Sequence, residues 1–227
     1  MIDGAAQIVT SGRWDALNAT IERLAKSYGG REDVWYLQTL SGSAFMSLTE
    51  YNLLKEANDQ RRDTVSRLAW HSRNLLELSV WAVYCMGGIP HARRLYEDAG
   101  HDVTDMYSAF QKWGEATAQN ADFISRFVSA KQDLAQRAAA EGVEELDASY
   151  RQVSTVANEI GMGEHFRVGF KLLSKWAHPT AMQMLGVVDE NQIVLQRECF
   201  FSMGCLHFTG AFMAVESLLL PLAKVFA

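Results

Sequence analysis

Apolar and small side chains recur at helical spacing through Val65, Leu68, Ala69, Ser72, Leu76, Ser79, Val83 and Met86, which predicts a helix. The opposite side is not polar in the usual way, because Trp70, Val80, Trp81 and Tyr84 line it with Arg73 and Glu77 set among them. A helix apolar on nearly every side belongs in the middle of a bundle. Trp70, Trp81 and Tyr84 accordingly read as core residues and not as a base-stacking platform. Charges inside such a helix are costly unless paired, and Arg73 and Glu77 stand at i and i+4, one above the other.

The same periodicity continues on both sides of this stretch. A short helical turn is expected over residues 3–9. A first clear helix follows over 13–28, with Trp14, Leu17, Ile21 and Leu24 on one face, closed by Gly29-Gly30. A second runs from about 31 to 57, and Asn58-Asp59 marks a break. The organising helix occupies 59–87 and ends at Gly87-Gly88 before Pro90. Further helices are expected over 91–118, with a kink at Gly100, then over 120–140 and 143–160. The next, 163–178, is stopped by His178-Pro179. Residues 186–196 change texture: Val187-Val188, a polar Asp189-Glu190-Asn191, then Ile193-Val194-Leu195. That pattern reads as a short β-hairpin or a loop. The expectation is an all-α, single-domain bundle of seven to eight helices over 1–227.

Composition narrows the class. Only three prolines interrupt 227 residues, and the net charge of −6 disfavours nonspecific nucleic-acid binding by the whole surface. Cys85, Cys199 and Cys205 form no C-x-x-C pair and no zinc spacing, as expected of free thiols in a reducing compartment. The first residues lack the basic region and apolar core of a signal peptide, so a cytoplasmic location is expected. The stretch from Cys199 to Phe226 is apolar over more than the roughly 20 residues that span a bilayer. However, His207 and Glu216 lie inside it and Pro221 interrupts its end. Glu216 is expensive in lipid and inexpensive beside an arginine of the bundle, so a buried C-terminal helix with no membrane is expected.

The candidate chemistry lies on the helix over 163–178. Arg167, Lys171, Ser174 and His178 form a polar stripe at i, i+4, i+7 and i+11. Two cations, a hydroxyl and an imidazole on one stripe suit an anionic group such as a phosphate. The helix dipole favours a protonated histidine at a C-terminus. The plainer reading is a solvated face that happens to end in a histidine. Arg73 and Glu77 likewise read either as a structural ion pair or as a pair facing a cleft, with Glu77 orienting Arg73 or His178.

Arg73-Asn74-Leu75-Leu76-Glu77, followed much later by Ser174-Lys175-Trp176-Ala177-His178-Pro179, resembles a family of bacterial helical proteins known as a domain of unknown function. That family pairs an Arg-x-x-x-Glu motif with a Ser-x-x-x-His motif. The resemblance spans roughly residues 30–220 and implies that Arg73, Glu77, Ser174 and His178 meet in space; it implies no activity. More distantly, the chain is similar to HEPN domains, helical bundles that are often metal-independent ribonucleases of toxin and phage-defence systems. Their signature is an arginine, four to six residues, then a histidine, which act at the scissile phosphate, usually across a dimer. Arg94 to His101 fits that spacing, and Lys171 stands where the pattern wants arginine ahead of His178.

No H-E-x-x-H, H-x-x-x-H or Glu-x-x-His pair offers a helical metal site, and no Gly-rich strand-to-helix loop offers a phosphate or dinucleotide cradle. Neither metal nor cofactor is expected. Two readings follow. One is a bundle whose Arg73, Glu77, Ser174 and His178 form a polar network, binding a small anion or a nucleotide phosphate with help from Lys171 and Arg167. The other is a HEPN-like ribonuclease acting on RNA, with His178 as general acid or base and Arg73 or Lys171 stabilising phosphate charge. A homodimer suits either.

Overall fold

The computed structural model describes residues 2–29, 33–60, 65–119, 121–140, 142, 151–178, 180 and 189–225. Among these residues all regular structure is helical. The described residues form nine helices: α1 Ile2–Thr10, α2 Arg13–Tyr28, α3 Val34–Asp59, α4 Val65–Cys85, α5 Ile89–Ala116, α6 Ala121–Ala140, α7 Val153–Glu159, α8 Gly163–Ala177 and α9 Glu190–Val225. The all-α class therefore holds, with more helices than the seven to eight expected. The hairpin does not. Residues 190–196 form the first turns of α9, and 186–188 lie outside the described residues. Ile193-Val194-Leu195 imitates a strand in composition, but the helix carries it with Val194 and Leu195 exposed. Two further expectations also change. Helix α5 runs through Gly100 without interruption, and α9 continues past Pro221 to Val225.

The chain divides into two compact units, one made of residues 1–92 and 153–227, the other of residues 93–152. In the first, α4 packs against α3, α7, α8 and α9, while α9 packs against α1, α2, α3 and α4. The helix whose sequence is apolar on nearly every side is thus the one with neighbours on most sides. Leu68, Ala69, Ser72, Leu75, Leu76, Ser79, Val80 and Ala82 of α4 are buried. On α9, which packs against α4, the residues Phe200, Phe208, Ala211, Phe212, Val215 and Leu219 are buried in turn. The Tyr51 ring of α3 stacks on Phe208 with centroids 4.3 Å apart and planes at 11°. Fully burying one such aromatic is worth about 1.5–3 kcal/mol.

One point of close approach fixes how α9 sits. A Cβ on Gly204 would come within 2.4 Å of Leu54 Cδ2 and 2.7 Å of Ser72 Oγ. Only a residue without a side chain lets α9 lie this near α3 and α4. One turn away, Ser72 Oγ donates a buried 2.6 Å hydrogen bond to the carbonyl of Phe200, which ties α4 to α9. Helix α8 lies antiparallel to α9, as His165 faces His207 and Gly169 faces Met203.

Helix α9 is long and apolar enough to cross a membrane by length and composition, and less than half of its most apolar stretch is buried inside the protein. Glu216, inside its apolar stretch, has the arginine expected of a bundle. Arg13 of α2 grips Glu216 through both Nε and Nη2, with its guanidinium carbon 5.2 Å from the Phe212 ring centre.

In the second unit, α5 beyond Ala92 and helix α6 share an aromatic cluster. Phe110 stacks on Phe127 at 5.0 Å, and Trp113 meets Phe123 edge-on at 5.9 Å. Its buried positions on α5 are polar: Asp98, His101 and Thr104. Burial raises the Asp98 carboxyl above its ordinary range, and Arg94, 3.3 Å away, partly offsets this.

Candidate functional site

The two motifs on α4 and α8 converge at the C-terminal end of α8. The face Phe166, Gly169, Leu173 and Trp176 buries α8 against the bundle. This burial aligns the neighbouring row Phe170, Ser174 and His178, spaced by four, along α4. His178 is the first residue beyond α8, with extended backbone at φ −115° and ψ 149°, and its side chain is exposed.

Arg73 occupies the centre. Its Nε donates to Glu77 Oε1 at 3.1 Å, and its Nη1 lies 2.7 Å from His178 Nε2. Its guanidinium carbon sits 4.3 Å from the centre of the Phe170 ring, a cation–π distance. Two hydrogen-bonding partners and one aromatic face hold the planar cation on three sides. A guanidinium has five N–H donors, and these two bonds use two of them. The Arg73 and Glu77 side chains are 21% and 29% exposed, so the pair is neither sealed in the core nor freely solvated.

The structure therefore brings Arg73, Glu77 and His178 together. Ser174 shares their helix face, but its Oγ is buried with no hydrogen-bond partner among the described residues. A buried hydroxyl left in this state costs about 1–3 kcal/mol. Lys171 and Arg167 are exposed on α8 and make no hydrogen bond or ion pair with any described residue. They add positive charge on α8, as yet uncommitted, close in sequence to the Arg73 contacts.

Three participants escaped the sequence reading. Trp70, expected in the core, is 43% exposed and meets the His178 ring edge-on at 5.9 Å and 90°. Phe170, read as one apolar residue among several, is the platform under Arg73. His71, the neighbour of Trp70, pairs with Glu50 of α3 through Nδ1 and Oε2 at 2.8 Å, with side chains only 11% and 12% exposed. The residue types at 50 and 71 carried no spacing signal because they lie on different helices.

The second arginine–histidine spacing lies in the other unit. Arg94 is held by Asp98 at 3.3 Å, and His101 is 4% exposed. The continuous helix through Gly100 puts Arg94, Asp98 and His101 on one face, where Asp98 and His101 are buried and Arg94 is half-buried. Another histidine, His207, is buried on α9 beside His165, with ring centres 5.3 Å apart. Burial, aided by His165, pushes its imidazole down to about 4. Among the described residues, no group of three or more His, Cys, Asp or Glu side chains is arranged to hold a metal ion.

These features define a helical bundle with a surface arginine–glutamate–histidine cluster. The chain matches no protein-family model, and no curated protein or solved structure is significantly similar to it.

Proposed function

We propose that the cluster at the end of α8 binds an anionic group of phosphate type. The observation that carries this reading is the state of Arg73. Its guanidinium is oriented by Glu77, His178 and Phe170, yet among the described residues it keeps unused N–H donors, and it has a path to solvent. An oriented guanidinium offers bidentate bonds to phosphate or carboxylate oxygens, and preorganisation lowers the ordering cost of binding. The exposed cations Lys171 and Arg167 favour a ligand with more than one negative charge. The Ser174 hydroxyl would act only if the site opens by a small side-chain movement.

The test is calorimetric titration of the protein with inorganic phosphate and pyrophosphate, beside Arg73→Met and Lys171→Met. Binding that Arg73→Met abolishes and Lys171→Met weakens supports the reading. Equal affinity in all three proteins removes it.

A second reading, ribonuclease activity of HEPN type, is favoured by the imidazole of His178 lying in hydrogen-bond contact with Arg73. That pairing puts a candidate proton carrier beside a phosphate-stabilising cation. Its test is RNA cleavage in chelator by the parent protein and by folded His178→Ala. No cleavage by the parent, or equal cleavage by both, dismisses it.

A further inference from the structure

We infer that the ligand of this site is a nucleotide unit, with its base resting on Trp70 and its phosphate on Arg73. The inference builds on the anion-binding reading and adds the second half of the ligand. An exposed tryptophan is by itself ordinary, since single apolar residues are common on protein surfaces. What distinguishes Trp70 is its connection. It precedes Arg73 by three positions on α4, so the two project from neighbouring points on one helix face. The His178 ring touches both, meeting the Trp70 indole edge-on at 5.9 Å and Nη1 of Arg73 at 2.7 Å. One imidazole thus bridges an exposed aromatic surface and a fixed guanidinium.

An inorganic phosphate or a sugar phosphate would use the guanidinium and leave the indole in water. A ligand with a phosphate at one end and a flat aromatic ring at the other would use both. Base-on-aromatic stacking is largely indifferent to base identity, because every base has a π face. Discrimination among bases would need hydrogen-bond donors or acceptors at the ring edge. Among the described residues the polar ring in contact with the indole is His178, which Arg73 already engages at Nε2, so weak base preference is expected. The same chemistry is offered by a free nucleotide and by a residue of single-stranded RNA.

The deciding experiment titrates the full chain with AMP, GMP, CMP and UMP, with ribose 5-phosphate, and with a short single-stranded oligoadenylate. Parent protein, Trp70→Ala and Trp70→Phe are compared. We expect at least one nucleotide to bind about tenfold or more tightly than ribose 5-phosphate, within the range for one stacked base. Trp70→Ala should bring nucleotide affinity down to that of ribose 5-phosphate measured on the same variant, and Trp70→Phe should keep most of the advantage. If ribose 5-phosphate binds as tightly as every nucleotide to the parent protein, the stacking inference fails and anion binding stands. If neither class binds, both fail. An oligoadenylate that outbinds AMP in a Trp70-dependent way identifies a strand as the source, and equal affinity identifies the free nucleotide.

Discussion

Nη1 of Arg73 lies 2.7 Å from Nε2 of His178, joining α4 to the residue that follows α8 across 105 positions of sequence. A guanidinium only donates, so a hydrogen bond here has Arg73 as its donor and the imidazole nitrogen as its acceptor. The contact is exposed, and exposed polar pairs contribute little to stability, about 0–1 kcal/mol. Removing a partner from a buried pair would cost about 3–5 kcal/mol. We therefore expect His178→Ala to leave the free energy of unfolding within about 1 kcal/mol of the parent. Thermal unfolding of the two proteins measures this, and a drop of several kcal/mol would make the histidine a structural residue.

Gly204 should not tolerate even a methyl group. The new Cβ would enter the space of Leu54 and Ser72, both fully buried, and Ser72 holds the Phe200 carbonyl. Overpacking a tight helix contact costs about 1–3 kcal/mol. Gly204→Ala should lower the free energy of unfolding by that amount, read as a lower urea midpoint with an unchanged slope. Gly210, whose Cβ position is open, is the control, and its alanine variant should be neutral or slightly stabilising.

Stability should fall on mild acidification because of His207. Its imidazole, 3% exposed, is pushed from 6.5 down to about 4 by burial and by His165. Between these values the unfolded chain takes up a proton that the folded chain refuses, so folding free energy is lost as pH falls through the window. The full loss is about 3 kcal/mol, and it is complete once pH reaches the folded value. Urea unfolding at pH 7 and pH 4.5 should show a larger difference for the parent than for His207→Phe. Parallel losses in the two proteins would assign the effect to other groups.

The three cysteines should separate cleanly by reactivity. Burial pushes the Cys85 thiol up to about 12 and the Cys205 thiol up to about 11, while Cys199 is exposed. The thiolate is the reactive form. A chromogenic disulfide reagent should therefore titrate one thiol rapidly in the native protein and three after denaturation, and Cys199→Ser should abolish the rapid phase.

What the sequence made legible follows from what periodicity encodes. It records which faces of a helix are apolar, so the central place of α4 and the helical class could be read directly. Arg73 and Glu77 were legible as a pair because both lie on one helix at i and i+4. Which helix covers which face is set by tertiary packing and leaves no local mark. Trp70 was therefore assigned to the core, although the packing of α8 leaves it at the surface beside His178. His71 and Glu50 met unannounced for the same reason. The first turns of α9 misled for a different one: Ile193-Val194-Leu195 has strand-like composition, and the helix that begins at Glu190 overrides that preference.

The hydrogen bond from Ser72 to the Phe200 carbonyl closes a loop of 128 residues, and the whole 93–152 unit lies within it. During synthesis, which delivers the N-terminal part first, the apolar side of α4 has no α9 to cover it until residues near 200 have been made. In that interval the central helix of the bundle is open on one flank, while the inserted unit is already available to form its own contacts. Closing so long a loop adds entropy cost and lengthens the search relative to bundles of sequential neighbours. The newborn chain should consequently be most exposed to aggregation, and most in need of chaperone cover, just before its last long helix is complete.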